Sequence, residues 1–150
     1  MIDSTINSTG DWKVDLTWTI LPAGRAWQRV VGNAFAAHGI SLSLAAPVLV
    51  LAYKGDGLRQ KAIAEAAGID PAAVVRSLNE LEQSGLLERK SDPSDRRANT
   101  LHLTKAGRDL ANKLDQILTD LREQLFSAIS AEEGNAVAKV LHLIERTGES

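Results

Sequence analysis

Residues 85–107 read GLLERKSDPSDRRANTLHLTKAG, and the division of that stretch decides the fold. Leu86 to Lys90 is a short strand candidate. Asn99 to Leu103 alternates polar and apolar residues with period two, as a half-buried strand does. Between them Ser91-Asp92-Pro93-Ser94-Asp95 is a polar turn. Together these segments predict a β-hairpin with a long, charged tip that carries Asp95-Arg96-Arg97. Thr104 then supplies a hydroxyl cap for a long helix with the apolar stripe Leu110, Leu114, Ile117, Leu121 and Leu125.

Upstream of Gly85 the punctuation is equally sharp. Asp70-Pro71 is a helix start: the carboxylate accepts from orphan N–H groups, and proline at the first helical position lacks an N–H that would go unpaired. Val74, Leu78 and Leu81 form its inward face, and Gly85 ends it with Leu81 and Leu86 placed for the contact of a Schellman cap. The spacing predicts a preceding helix over Leu58 to Ala67, stopped by Gly68. Ala64-x-x-x-Gly68 followed by Ile69 and Val74 is helix-turn-helix spacing: a small residue at the crossing, a glycine turn, then apolar pins. Two core helices joined by a glycine turn would fit that pattern as well. The hairpin directly behind them distinguishes the two, because helix-turn-helix plus hairpin is a winged helix.

The flanks are helical. From about Val14 to His38, Ile20, Trp27, Val31, Ala34 and Phe35 recur at helical spacing, and Pro22 predicts either a start or a kink. A second helix is expected from Leu42 to Tyr53, with Pro47 tolerable only near its first turn. Ser130 with Glu133 is a capping box for a last helix striped by Val137, Val140, Leu141 and Ile144.

At 150 residues the chain suits one domain over 1–150, mainly α with a small β-hairpin. The absence of cysteine excludes disulfides and thiolate metal sites. Leu42 to Tyr53, the longest near-apolar run, falls short of the ~20 residues of a membrane span. The opening Met1-Ile2-Asp3-Ser4-Thr5 has no secretion-signal pattern, and the first ten residues look frayed, so a cytoplasmic location is expected. His38, His102 and His142 show no metal-ligand spacing, and neither a phosphate loop nor a nucleophile elbow is present. No enzyme, metal or cofactor is expected. Net charge is −2, yet Lys54 to Arg108 holds ten Lys/Arg against eight Asp/Glu. The positive charge of a nucleic-acid binder would have to be concentrated by geometry.

The run Asp95-x-Arg97 followed by Leu101-x-Leu103-Thr104-x-x-Gly107 resembles the MarR family of winged helix-turn-helix transcriptional regulators, and helix order matches across the chain. The resemblance implies a homodimer whose terminal helices, about 14–40 and 105–147, interlock, with a winged lobe over about 42–103. It implies a regulator, expected to be a ligand-responsive repressor, that binds a pseudo-palindromic operator in double-stranded DNA. Arg76 matches a family arginine in the recognition helix, and Arg97 the wing arginine, with Arg96 beside it. Asp95 is placed to brace Arg97 bidentately. Where the family usually has Ser/Thr, this chain has Ala72 and Ala73, which can meet thymine methyls but cannot hydrogen-bond bases. Gln60 and Lys61 are either phosphate contacts or plain surface residues. The family's small aromatic or phenolic effectors make Trp18, Trp27 and His38 candidate ligand-lining residues; core aromatics and a helix-end histidine are the simpler alternative. The competing function is a winged interaction or ligand-binding module without operator recognition.

Overall fold

The computed structural model describes residues 10–149. The expectations for the extreme N-terminus lie, apart from Gly10, outside the described residues. In chain order the elements are α1 (Trp12–Ala36), α2 (Leu42–Lys54), α3 (Gln60–Ala67), α4 (Pro71–Gln83), β1 (Leu87–Asp92), β2 (Asp95–Leu103), α5 (Lys105–Phe126) and α6 (Ala131–Gly148).

The most apolar helix, α2, is the central one: it touches α1, α3, α4, α5 and β2. Phe35, Val48, Leu51, Ile63, Leu78, Leu81, Leu101 and Leu114 are almost fully buried around it. Truncating such a leucine to alanine typically costs about 2–5 kcal/mol, because transfer and cavity terms add. Pro22 neither starts nor breaks α1, which runs through it. Proline there removes only the bond to the Trp18 carbonyl, and both residues are exposed to water. Pro47 lies buried in the second turn of α2 rather than the first.

The start of α3 differs from the expected helix over Leu58 to Ala67. Leu58 bridges to Leu101 of β2 instead: Leu101 N–H donates to the Leu58 carbonyl at 2.8 Å, and Gly57 N–H to the Leu101 carbonyl at 2.9 Å. An apolar residue two positions ahead of a helix suits either role in sequence, and β2 offers this one free ladder bonds. The Asp56 side chain ties the same loop to β2 by accepting from Leu103 N–H at 2.9 Å. It also pairs with Arg108 on α5.

The hairpin differs in detail. Its strands pair Leu87 with Leu103 through Ser91 with Asn99, then Asp92 with Asp95. The turn is therefore only Pro93-Ser94. The expected long tip is resolved into a tight turn plus Arg96, Arg97 and Ala98, which bulge from β2 without partners on β1.

The junction into α5 is close-packed. Thr104 caps it, accepting from Gly107 N–H at 3.1 Å while its hydroxyl donates to the Gly85 carbonyl at 2.7 Å. Gly107 is needed because a β-carbon there would collide with the Leu86 carbonyl oxygen. The capping box of Ser130 and Glu133 is formed in both directions. No residue of α6 is buried.

Candidate nucleic-acid interface

Helices α3 and α4 meet at the turn the sequence predicts. Gly68 takes φ +62°, Gly68 N–H donates to Glu65 and Ile69 N–H to Ala64. Ala64 is buried at the crossing. Asp70 caps α4, accepting from Ala73 N–H at 3.1 Å, and Val74, Leu78 and Leu81 face inward. Gly85, at φ +72°, closes the helix with the paired Schellman bonds to Glu82 and Leu81.

That inward face leaves Ala72, Arg76, Asn79 and Glu80 exposed and Ala73 half-buried. Gln60 and Lys61 from α3 join Pro71, Ala72 and Val75 from α4 in lining one shallow hollow of about 250 Å³. The structure thus brings Gln60, Lys61 and Ala72 together at the paired N-terminal ends of the two helices. Asp95, Arg96 and Arg97 form a separate group on the wing.

The arginines of the lobe fall into two sets. Arg59 is held by Asp92 at 2.6 Å, Arg89 by Glu82 and by Asn79 at 2.8 Å, and Arg108 by Asp56. Asn79, though exposed, therefore has its side-chain carbonyl committed to the wing base. The side chains of Arg76 and Arg96 carry no hydrogen bond or ion pair to another described residue. Arg97 is 94% exposed, with only a loose contact of its Nε to Asp95 at 3.6 Å. The expected bidentate brace is not formed. Asp95 instead accepts from the backbone N–H of Arg97 at 3.1 Å, so it shapes the bulge and leaves the guanidinium free.

One residue the sequence reading placed merely in a polar turn matters more. Asp92 is buried, accepts from the Ser94 hydroxyl at 2.7 Å and Ser94 N–H at 2.8 Å, and receives Nε of Arg59 at 2.8 Å. The Ser94 bonds first, then Arg59, pull its carboxyl down to about 2. Asp56 also lies below the ordinary carboxylate range. Burial opposes that shift, but the Leu103 N–H and Arg108 outweigh it.

Residues 38–98, which contain the helix-turn-helix and most of the wing, match the model of the MarR family. Solved structures agree over nearly the whole chain. CouR from Rhodococcus jostii RHA1, determined with p-coumaroyl-CoA bound, is 29% identical with a TM-score of 0.70, covering 87% of this chain and 91% of that one. A MarR-family regulator from Rhodococcus sp. RHA1 is 27% identical at TM-score 0.72, covering 89% and 94%. One from Methanosarcina mazei Go1 is 25% identical at 0.70, covering 89% and 95%. Over residues 38–98 the chain resembles the MarR family in sequence, and over nearly its whole length it is similar in fold to solved MarR-family regulators.

An open cleft of about 600 Å³ lies between α1, the start of α2 and the end of α3. Ile20, Leu21, Arg25, Trp27, Val31 and Leu42 are among its lining residues. Trp27 is half-buried and stacks on Phe126, centroids 6.4 Å apart. Trp18 lines an adjoining groove with Leu21 and Arg25 and is 74% exposed. His38, exposed beyond the end of α1, lines neither space. Arg25, which borders both, is the cleft residue sequence reasoning missed; a lone arginine on a helix face carries no signal of its own. Among the described residues no cluster of metal-ligating side chains is found, and no helix is long and apolar enough to cross a membrane.

Proposed function

We propose that this protein is a transcriptional regulator that binds double-stranded DNA as a homodimer, reading a pseudo-palindromic operator with α4 and the hairpin wing. The partition of arginines carries this reading. Arg59, Arg89 and Arg108 are spent on internal carboxylates, whereas Arg76 on α4 and Arg96 and Arg97 on the wing remain available for phosphates and groove edges. A lobe of weak net charge thereby offers free cations at the two elements that a winged helix inserts into DNA. Gln60 and Lys61 beside Ala72 are suited to phosphates flanking the major groove. Ala72 and Ala73 favour thymine methyls, so wing contacts and DNA shape carry more of the specificity.

Helices α1, α5 and α6 form the dimer. Val137, Leu141, Leu143 and Ile144 on α6, with Leu125 and Phe126 on α5, stay exposed in the single chain. The cleft bordered by Trp27 and Arg25 takes a small aromatic or phenolic acid, whose binding weakens the DNA complex; repression relieved by ligand follows. CouR, solved with p-coumaroyl-CoA, supports an aryl effector. A winged interaction module is disfavoured by the free arginines.

The experiment is a gel-shift titration on DNA upstream of the protein's own gene, with a scrambled duplex and Arg97→Ala in parallel. A specific shift that Arg97→Ala loses supports the reading. Equal binding by wild type and Arg97→Ala removes the wing from DNA recognition.

A further inference from the structure

We propose that Arg59 and Asp92 are positioning residues for DNA binding: their ion pair is a strut that fixes the wing relative to the helix-turn-helix, and Arg59 is not itself a DNA contact. This rests on the DNA-binding reading above. Arg59 is the residue directly before α3, next to Gln60 and Lys61, and Asp92 ends β1 immediately before the two-residue turn. Both Nε and a terminal nitrogen of Arg59 reach Oδ2 of Asp92, at 2.8 and 2.6 Å. The other oxygen, Oδ1, holds the Ser94 N–H and hydroxyl. One carboxylate thus organises the turn with one oxygen and ties it to the start of α3 with the other. Its side chain is only 11% exposed, so water competes little for the carboxylate, while the Arg59 side chain is half exposed.

The hairpin needs such a tie. Beyond Asn99 its ladder is interrupted, and Arg96 to Ala98 have no partners on β1. The Leu58–Leu101 bridge lies at the other end of the hairpin, near its base. Among the described residues the strut is the side-chain ion pair that reaches the turn from the start of α3. Arg59 also lacks the freedom to serve DNA, since its guanidinium is already charge-compensated.

The sign of one substitution separates positioning from simple charge. Asp92→Asn removes a negative charge from a surface meant to meet phosphates, which by electrostatics alone tightens binding. If the strut sets the wing, the same change weakens it. Glu88→Gln, on the same strand but paired only with exposed Lys90, reports the pure charge effect.

The test measures operator affinity for wild type, Asp92→Asn, Arg59→Ala and Glu88→Gln, with amide hydrogen exchange of residues 94–98 in the DNA-free protein. Asp92→Asn and Arg59→Ala should each lose roughly tenfold in affinity, the worth of a charged hydrogen bond. Exchange at 94–98 should quicken severalfold while α2 stays protected, and Glu88→Gln should bind at least as well as wild type. Arg59→Lys, which keeps the cation beside Asp92 and leaves the Ser94 bonds untouched, should retain slower exchange than Arg59→Ala, which separates the pair from a general loss of folding. Asp92→Asn binding as tightly as wild type overturns the proposal, whether or not exchange changes. If wild type shifts no duplex, the DNA reading fails by itself. The exchange data then still decide the strut, and unchanged exchange in Asp92→Asn overturns it.

Discussion

Arg97 and Arg76 are exposed arginines with different expected roles. Arg97, on a bulge held by Asp95, is placed to sense groove width, and Arg97→Ala should cost about 1–3 kcal/mol per subunit with unchanged melting. Arg76→Ala should cost a similar amount and also relax preference at one base pair in each half-site. Titration on specific and scrambled duplexes checks both. Asp95→Ala should weaken binding less than Arg97→Ala, because it loosens the bulge through the Arg97 N–H and keeps the charge. Asp92 gives a pH signature. Its folded carboxyl titrates near 2, below the ordinary 3.8, so the unfolded chain binds more protons between those values. The stability it contributes is fully present above about pH 4 and is lost as pH falls through about 2. Asp92→Asn should flatten that part of the stability curve in acid-melting experiments.

At the junction of β2 with α5 a single glycine bears the packing. Gly107→Ala drives a β-carbon into the Leu86 carbonyl, and backbone there is pinned by Thr104 N–H as well. We expect destabilisation near the upper end of the roughly 1–3 kcal/mol typical of overpacking. Denaturant melts check this, and an unchanged midpoint would show that the junction relaxes freely. Asp70-Pro71, Gly68, Gly85, Thr104 and the Ser130–Glu133 box make their capping bonds to residues three to five positions away, so each was legible and each is formed. The bridge of Leu58 to Leu101 and the strut of Arg59 to Asp92 join residues more than thirty positions apart. Nothing in local periodicity distinguishes Leu58 from a first helical turn, or Asp92 from any aspartate in a polar turn. The wing candidates Asp95, Arg96 and Arg97 could be named because a family motif contains them, and those on α3 and α4 only from their place in the helix-turn-helix; which arginines are free was not legible, since that depends on where distant carboxylates fold.

The terminal helices expose large apolar residues in the single chain. Val137, Leu141 and Ile144 of the α6 stripe are exposed, Val137 to 54%, and Val140 is half-buried. Two such stripes, with the end of α5, suffice for an interface above ~2,000 Å², in the obligate class. Light scattering should give twice the chain's 16.1 kDa, and Leu141→Glu should shift the protein toward monomer. A two-fold dimer sets its recognition helices in successive major grooves about 10 bp apart. With roughly eight phosphate contacts per dimer, log K against log salt should slope near −7. Selection of binding sites from a random duplex pool, followed by a hydroxyl-radical footprint on the winner, examines dimer, helix and wing at once. A dyad-symmetric consensus with half-sites about 10 bp apart, protected on both sides of each, is the expected result. A pool with no enriched sequence, or an enriched site without symmetry, would contradict it.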